Sequence, residues 1–257
     1  MSLDPALIAL ANDMADAAGT VIRRYFRTPV GVDTKADESP VTIADRETET
    51  AMRALIDRRR PQDGVLGEEH GRQRLDAEYL WVIDPIDGTK AFITGMPVFG
   101  TLIGLMHRGQ PVLGIIDQPI LRERWLGIAG QATTMNGQRI VTRPCPSLDK
   151  AFLYSTAPDM FKGDDAIAYE RVKSKVRQPR FGGDCYAYGL LTMGFADLVI
   201  EASLQPYDYC AVIPVVEGAG GTMTDWQGKA LTIDSDGRVV AAGDRAAHKA
   251  ALQALAG

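Results

Sequence analysis

The sequence predicts a mixed α+β and α/β chain, and three patterns carry that expectation. Two helix-period segments open the chain, β-rich runs separated by glycine turns fill its middle, and strands alternate with helices after a proline break. Pro144 and Pro146 form that break. They place a boundary near 145, between an N-terminal α+β part (1–145) and a C-terminal α/β part (146–257). A length of 257 residues admits one large domain or two small ones.

The first helix is expected over 4–27. Leu7, Leu10, Ala11, Met14, Ala18, Val21, Ile22 and Tyr25 recur there at spacings of three and four, with Asp4 and Pro5 as start signals. A second helix starts near Thr42 and ends before Pro61, with Met52, Leu55 and Ile56 on its inner face; Val30–Ser39 reads as a short strand or loop. Tyr79–Ile83 reads as a buried strand. Phe99–Met106 and Pro111–Pro119 flank Arg108-Gly109-Gln110 as an antiparallel hairpin. Gly127–Ala129 and Gln138–Val141 continue the β character around the turn Asn136-Gly137. Beyond 145, strands are expected at 151–155, 198–201, 222–226 and 239–242. Helices are expected at 164–176, 186–194 and 209–217, the last closed by Gly218 and Gly220.

The bulk numbers exclude several classes. Hydrophobic content of 46% and charged content of 24% are those of an ordinary globular protein. A net charge of −5 with no Lys/Arg-rich run argues against nucleic-acid binding. Cys145, Cys185 and Cys210 form neither a C-x-x-C motif nor an even set, which suits a reducing cytoplasm. No signal peptide or membrane span is expected.

The stretch 79–90 carries the most chemistry. Its apolar strand delivers Asp84 and Asp87, with Pro85 and Gly88 stiffening the turn. At ~5 Å and an effective dielectric of ~20, two such carboxylates repel by roughly 3 kcal/mol. A hard divalent cation such as Mg2+ removes that penalty. A helix starting at Thr89 would leave the Gly88 and Thr89 N–H groups facing a phosphate. Glu68 and Glu69 join this site if the strand before them neighbours Tyr79–Ile83. Asp208 stands at the start of an apolar helix, where an acid is either a cap or a ligand. His70, His107 and His248 are too scattered for a triad or zinc site. There is no Gly-x-Ser-x-Gly elbow, and the glycines at 218–221 follow a helix, as a C-cap does. Metal-activated water is the chemistry left.

Gly67-Glu68-Glu69, Trp81-Val82-Ile83-Asp84-Pro85-Ile86-Asp87-Gly88-Thr89 and Tyr207-Asp208, the last followed by an apolar helix and a glycine cluster, together resemble the inositol monophosphatase family. The similarity spans nearly the whole chain. It implies a layered α-β-α-β-α sandwich and a phosphomonoesterase using two or more Mg2+ ions on a small phosphate ester, commonly as a homodimer. Carried over, Glu68, Asp84, Asp87, Asp208 and the Ile86 carbonyl would hold the metals. Asp45 and Thr89 would activate water alongside Glu68, and the Gly88 and Thr89 N–H groups would hold the phosphate.

Phe92–Leu102, Gly182–Tyr188, Glu201 with Leu204–Asp208, and Ser39–Thr42 leading into Asp45 are similar to the histidinol-phosphate phosphatase branch. That resemblance implies hydrolysis of L-histidinol phosphate in histidine biosynthesis. Asp184 and Glu201 would pair with the substrate cation, beside Asp208, and Tyr186, Tyr188 or His70 would flank its imidazole. Arg180 is uncommitted between a phosphate and a partner subunit. The alternatives are an inositol-1-monophosphatase, a broader sugar-phosphate or nucleotide 3′-phosphatase, and an inactive metabolite-binding relative. The complete acid set counts against the last.

Overall fold

The computed structural model describes residues 3–29, 31–34 and 40–257. In chain order the elements are α1 (Pro5–Tyr25), β1 (Val32–Thr34), β2 (Pro40–Thr42), α2 (Ile43–Arg59), β3 (Gly64–Gly67), β4 (Gly71–Gln73), β5 (Tyr79–Asp87) and α3 (Thr89–Ile93). Then come β6 (Gly100–His107), β7 (Gln110–Gln118), β8 (Glu123–Ile128), β9 (Thr134–Met135), β10 (Gln138–Arg139), β11 (Phe152–Ser155), α4 (Asp164–Lys173) and β12 (Gln178–Phe181). The chain ends with α5 (Tyr186–Thr192), β13 (Leu198–Glu201), α6 (Pro206–Tyr209), α7 (Val212–Gly218), β14 (Thr222–Thr224), β15 (Val239–Ala242) and α8 (Arg245–Ala256).

An eight-stranded sheet runs β10-β9-β8-β7-β6-β5-β3-β4, and a five-stranded sheet runs β12-β11-β13-β15-β14. Helices α1 and α2 cover one face of the large sheet, α5, α6 and α7 fill the space between the sheets, and α4 and α8 close the far side. This is the expected α-β-α-β-α layering. The middle layer holds an apolar core, with Trp125, Tyr188, Tyr209, Val212 and Val215 packed against Leu102, Ile116 and Val199. Side chains from both halves of the chain build it.

Each boundary has a local cause. Helix α1 starts on the Asp4 carboxylate, which accepts the Ala6 N–H at 2.9 Å. Helix α2 starts on a capping box: Thr42 Oγ1 accepts from Ala44, and Asp45 accepts the Thr42 N–H at 2.8 Å. The 108–109 turn closes the expected β6–β7 hairpin. Asn136 and Gly137, both at positive φ, close another, although it joins β9 to β10 rather than to β8.

Several expectations change. Strand β5 continues through the aspartates to Asp87, with an irregularity in its pairing to β6 between Asp84 and Asp87. The stiff turn is therefore a bulge within a strand. The expected helix 209–217 is two helices, because Pro214 lacks the N–H that would bond the Cys210 carbonyl. Strand β12 and helix α8 were not anticipated. The strand carries Pro179 on a sheet edge, and the helix buries mainly alanines. In the expected 30–39 segment β1 occupies 32–34, while Val30 and 35–39 lie outside the described residues.

The large sheet meets α6 and α7 at glycines. A Cβ on Gly114 would fall 1.7 Å from the Ala211 carbonyl oxygen, so only glycine permits this approach. The close seating brings Asp208, on α6, against the end of β5.

Candidate active site

Strands β3 and β5 are parallel neighbours, with Gly67 opposite Ile83. The next residue on each is an acid, so Glu68 and Asp84 emerge side by side. The Glu68 N–H also donates to the Ile83 carbonyl at 3.3 Å. This meets the condition the sequence left open for Glu68.

Asp84, Asp87 and Asp208 form the centre, each with a carboxylate oxygen within 4.8 Å of the others. Asp84 is buried, and its Oδ1 accepts the Ile86 N–H at 2.9 Å, which holds the bulge. Asp87 accepts the Cys185 N–H at 2.7 Å, tying β5 to the start of α5. Asp208 is the third residue of α6 and accepts the Gln205 N–H at 2.7 Å, so it caps from inside the helix. Glu68 stands beside this triad, and its charge bears on Asp84.

Burial, then the charges of neighbouring acids, pushes the proton affinities of Asp84 and Asp87 well above the ordinary carboxylate range. Asp208 rises to about 7, again through burial first. The carboxyl groups of Asp87 and Asp208 crowd Asp84, and the charge of Glu68 also bears on it. Such crowding needs a proton or a cation between the oxygens. All donors are hard oxygens, with no thiolate or imidazole among them, so the set fits Mg2+ or a similar divalent ion.

Asp45, one turn into α2, is fully buried. Its Oδ2 accepts from Thr42 N and Oγ1 at 2.8 and 2.6 Å, leaving Oδ1 turned to Thr89 Oγ1 at 3.3 Å. Burial raises its proton affinity, opposed by the Thr42 bonds. The Thr89 hydroxyl lies between Asp45 and the Ile86 carbonyl, 3.2 Å away. Gly88 adopts φ +86. A Cβ there would approach Asp184 to 2.9 Å, so the residue is doubly constrained.

A cavity of about 220 Å³ opens beside these groups, lined by Glu68, Asp87, Gly88, Thr89, Asp184, Glu201 and Asp208 among others. Asp184 holds a left-handed backbone, φ +41. Its proton affinity rises to about 6 through burial, opposed by Lys90. Glu201 is buried with both oxygens engaged: one accepts from Thr156 N and Oγ1 at 2.9 and 2.5 Å, the other from Tyr188 Oη at 2.7 Å.

Of the aromatic candidates, Tyr188 lines the cavity, but its hydroxyl is committed to Glu201. Tyr186 turns away to Glu123 at 2.7 Å and packs edge-on against Trp125. His70 is exposed, with Nε2 near the Thr50 hydroxyl and the Arg46 carbonyl. Arg180 is exposed on β12 and faces the Tyr154 ring. Sequence reasoning missed Lys90, Thr156 and Met160, which line the wall together with Cys185 and Leu204. Thr156 had a signal, because it follows the C-terminal end of a strand in the α/β part, where sites collect.

The inositol monophosphatase family model matches residues 5–256. The bifunctional chloroplastic phosphatase IMPL2 of Arabidopsis thaliana is 52% identical, over 96% of this chain and 74% of its own. A histidinol-phosphatase of Mycobacterium tuberculosis is 35% identical over 90% of each chain. Among solved structures, an inositol monophosphatase from Zymomonas mobilis superposes with a TM-score of 0.92 at 50% identity, covering 100% of both chains. With these likenesses running nearly the whole length of the chain, it belongs to the inositol monophosphatase family, a family of metal-dependent phosphatases.

Proposed function

We propose that the protein is a Mg2+-dependent phosphomonoesterase whose substrate is L-histidinol phosphate. One observation carries the substrate reading. Besides the proposed metal ligands Glu68, Asp84, Asp87 and Asp208, the cavity wall keeps two further acids, Asp184 and Glu201, against a single cation, Lys90, among the described lining residues. A neutral polyol gives such acids nothing to neutralise, whereas an aminoalcohol does. Met160 and Leu204 add apolar surface suited to an imidazole. The likeness to histidinol-phosphatases supports the same reading. The likeness to a solved inositol monophosphatase favours inositol 1-phosphate as the second reading.

In this reading Glu68, Asp84, Asp87, Asp208 and the Ile86 carbonyl hold the cations. Bound there, they supply Lewis acidity at the phosphoryl oxygens and offset the developing charge. The chain does the rest. Thr89 Oγ1 accepts a proton from the attacking water and passes its own to Asp45 Oδ1. Asp45 keeps that oxygen available because Thr42 occupies the other. The Gly88 and Thr89 N–H groups hold the phosphate, which leaves positioning and charge as the main contributions. Asp184 holds the ammonium. Glu201 is fixed by Thr156 and Tyr188 and supplies negative potential rather than a free acceptor pair. Asp184→Ala tests the assignment: KM for histidinol phosphate should rise ~10- to 100-fold, the worth of a charge-assisted hydrogen bond. Turnover of inositol 1-phosphate should not fall with it. Equal loss on both esters would remove Asp184 from amine recognition.

A further inference from the structure

Glu49 is a buried charge that the chemistry above leaves unused. It lies one helical turn after Asp45 on α2 and is fully enclosed. Its carboxylate points at the turn carrying Glu68. One oxygen accepts the Glu69 N–H at 2.7 Å, and the other accepts the His70 N–H at 3.1 Å and Arg53 Nε at 2.7 Å. Arg53 then donates to the Gly71 carbonyl at 2.5 Å, so one ion pair brackets the whole turn. Gly67 is shaped to this contact. A Cβ there would fall 2.1 Å from Glu49 Oε1 and 2.5 Å from its Cδ.

The two N–H groups that Glu49 holds are those immediately after Glu68, and the Glu68 N–H itself is held by Ile83. We infer that Glu49 is a positioning residue for the metal site: it clamps the 68–71 turn so that the Glu68 carboxylate stands beside Asp84, ready for a divalent cation. This rests on the reading of Glu68 as a ligand. Helix α2 then sets two parts of the site from one face, the proton acceptor Asp45 directly and the ligand Glu68 through Glu49.

Two substitutions attack the same contact from opposite sides. Glu49→Gln keeps the shape but presents an amide N–H to donors, and Gly67→Ala drives the turn off the carboxylate. The measurement is Mg2+ binding to the purified protein by titration calorimetry, well below the melting temperature. Each variant should weaken binding ~10- to 100-fold, the range for groups that orient metal ligands. The loss in turnover should shrink as Mg2+ is raised. Binding within threefold of wild type in a folded variant would overturn the proposal and reduce Glu49 to a structural ion pair. Glu68→Gln separates the underlying reading. If it leaves Mg2+ affinity unchanged, Glu68 is not a ligand, whatever Glu49 does.

Discussion

Asp87→Asn should act with opposite sign on the metal-free and metal-loaded protein. Asp87 shares the centre with Asp84 and Asp208, their carboxylate oxygens within 4.8 Å of one another. At an effective dielectric of ~20, each ionised pair at that distance repels by about 3.5 kcal/mol. Protonation relieves much of this without a cation, as the raised proton affinities of Asp84 and Asp87 indicate. The metal-free variant should therefore gain on the order of 1–2 kcal/mol, or roughly 2–8 °C in melting temperature for a chain of this size. Asn keeps an oxygen for the Cys185 N–H, so the link to α5 survives. The wild type, with Mg2+ at about 100 times its Kd, should gain about 2.7 kcal/mol, and the variant almost none. Thermal melts in EDTA and in Mg2+ give all four values. A variant that melts lower in EDTA yet keeps the full Mg2+ shift would refute the reasoning.

Thr89→Val removes the hydroxyl between water and Asp45, and kcat should fall ~10²- to 10⁴-fold with KM nearly unchanged. A parallel rise in KM in steady-state assays would point to substrate binding instead. Thr101→Val strips the buried Pro85 carbonyl of its 2.8 Å hydrogen bond, and urea unfolding should show a loss of about 1–3 kcal/mol. Burial lowers the His248 proton affinity below the ordinary value of 6.5. The unfolded chain therefore takes up that proton first, and stability present above pH 6.5 is lost as pH falls through it. Urea midpoints at pH 7.5 and 5.5 should lie closer together in His248→Gln than in wild type.

The parts of the fold written in periodic side chains were legible. Helix α1 and the β6–β7 hairpin follow directly from spacing and glycine turns, and the Asp84/Asp87 pair announced itself through its own repulsion. Helix α8 was hidden because alanines bury little area and give weak periodicity. The bulge at Pro85 read as a turn because its stabilising partner, Thr101, lies on the neighbouring strand. Glu201 looked like an open anion in sequence; Thr156 and Tyr188, which occupy its oxygens, are distant in the chain or lack a local signal. Glu49 was unreadable for the same reason. Its purpose lies in backbone N–H groups 20 and 21 residues away.

The most direct test is phosphate release from histidinol phosphate and inositol 1-phosphate, measured side by side as kcat/KM in Mg2+ and in EDTA. The expected result is Mg2+-dependent hydrolysis with a clear preference for histidinol phosphate. A preference for inositol 1-phosphate would keep the metal site and discard the role of Asp184 and Glu201, and undiminished release in EDTA would contradict the account at its centre.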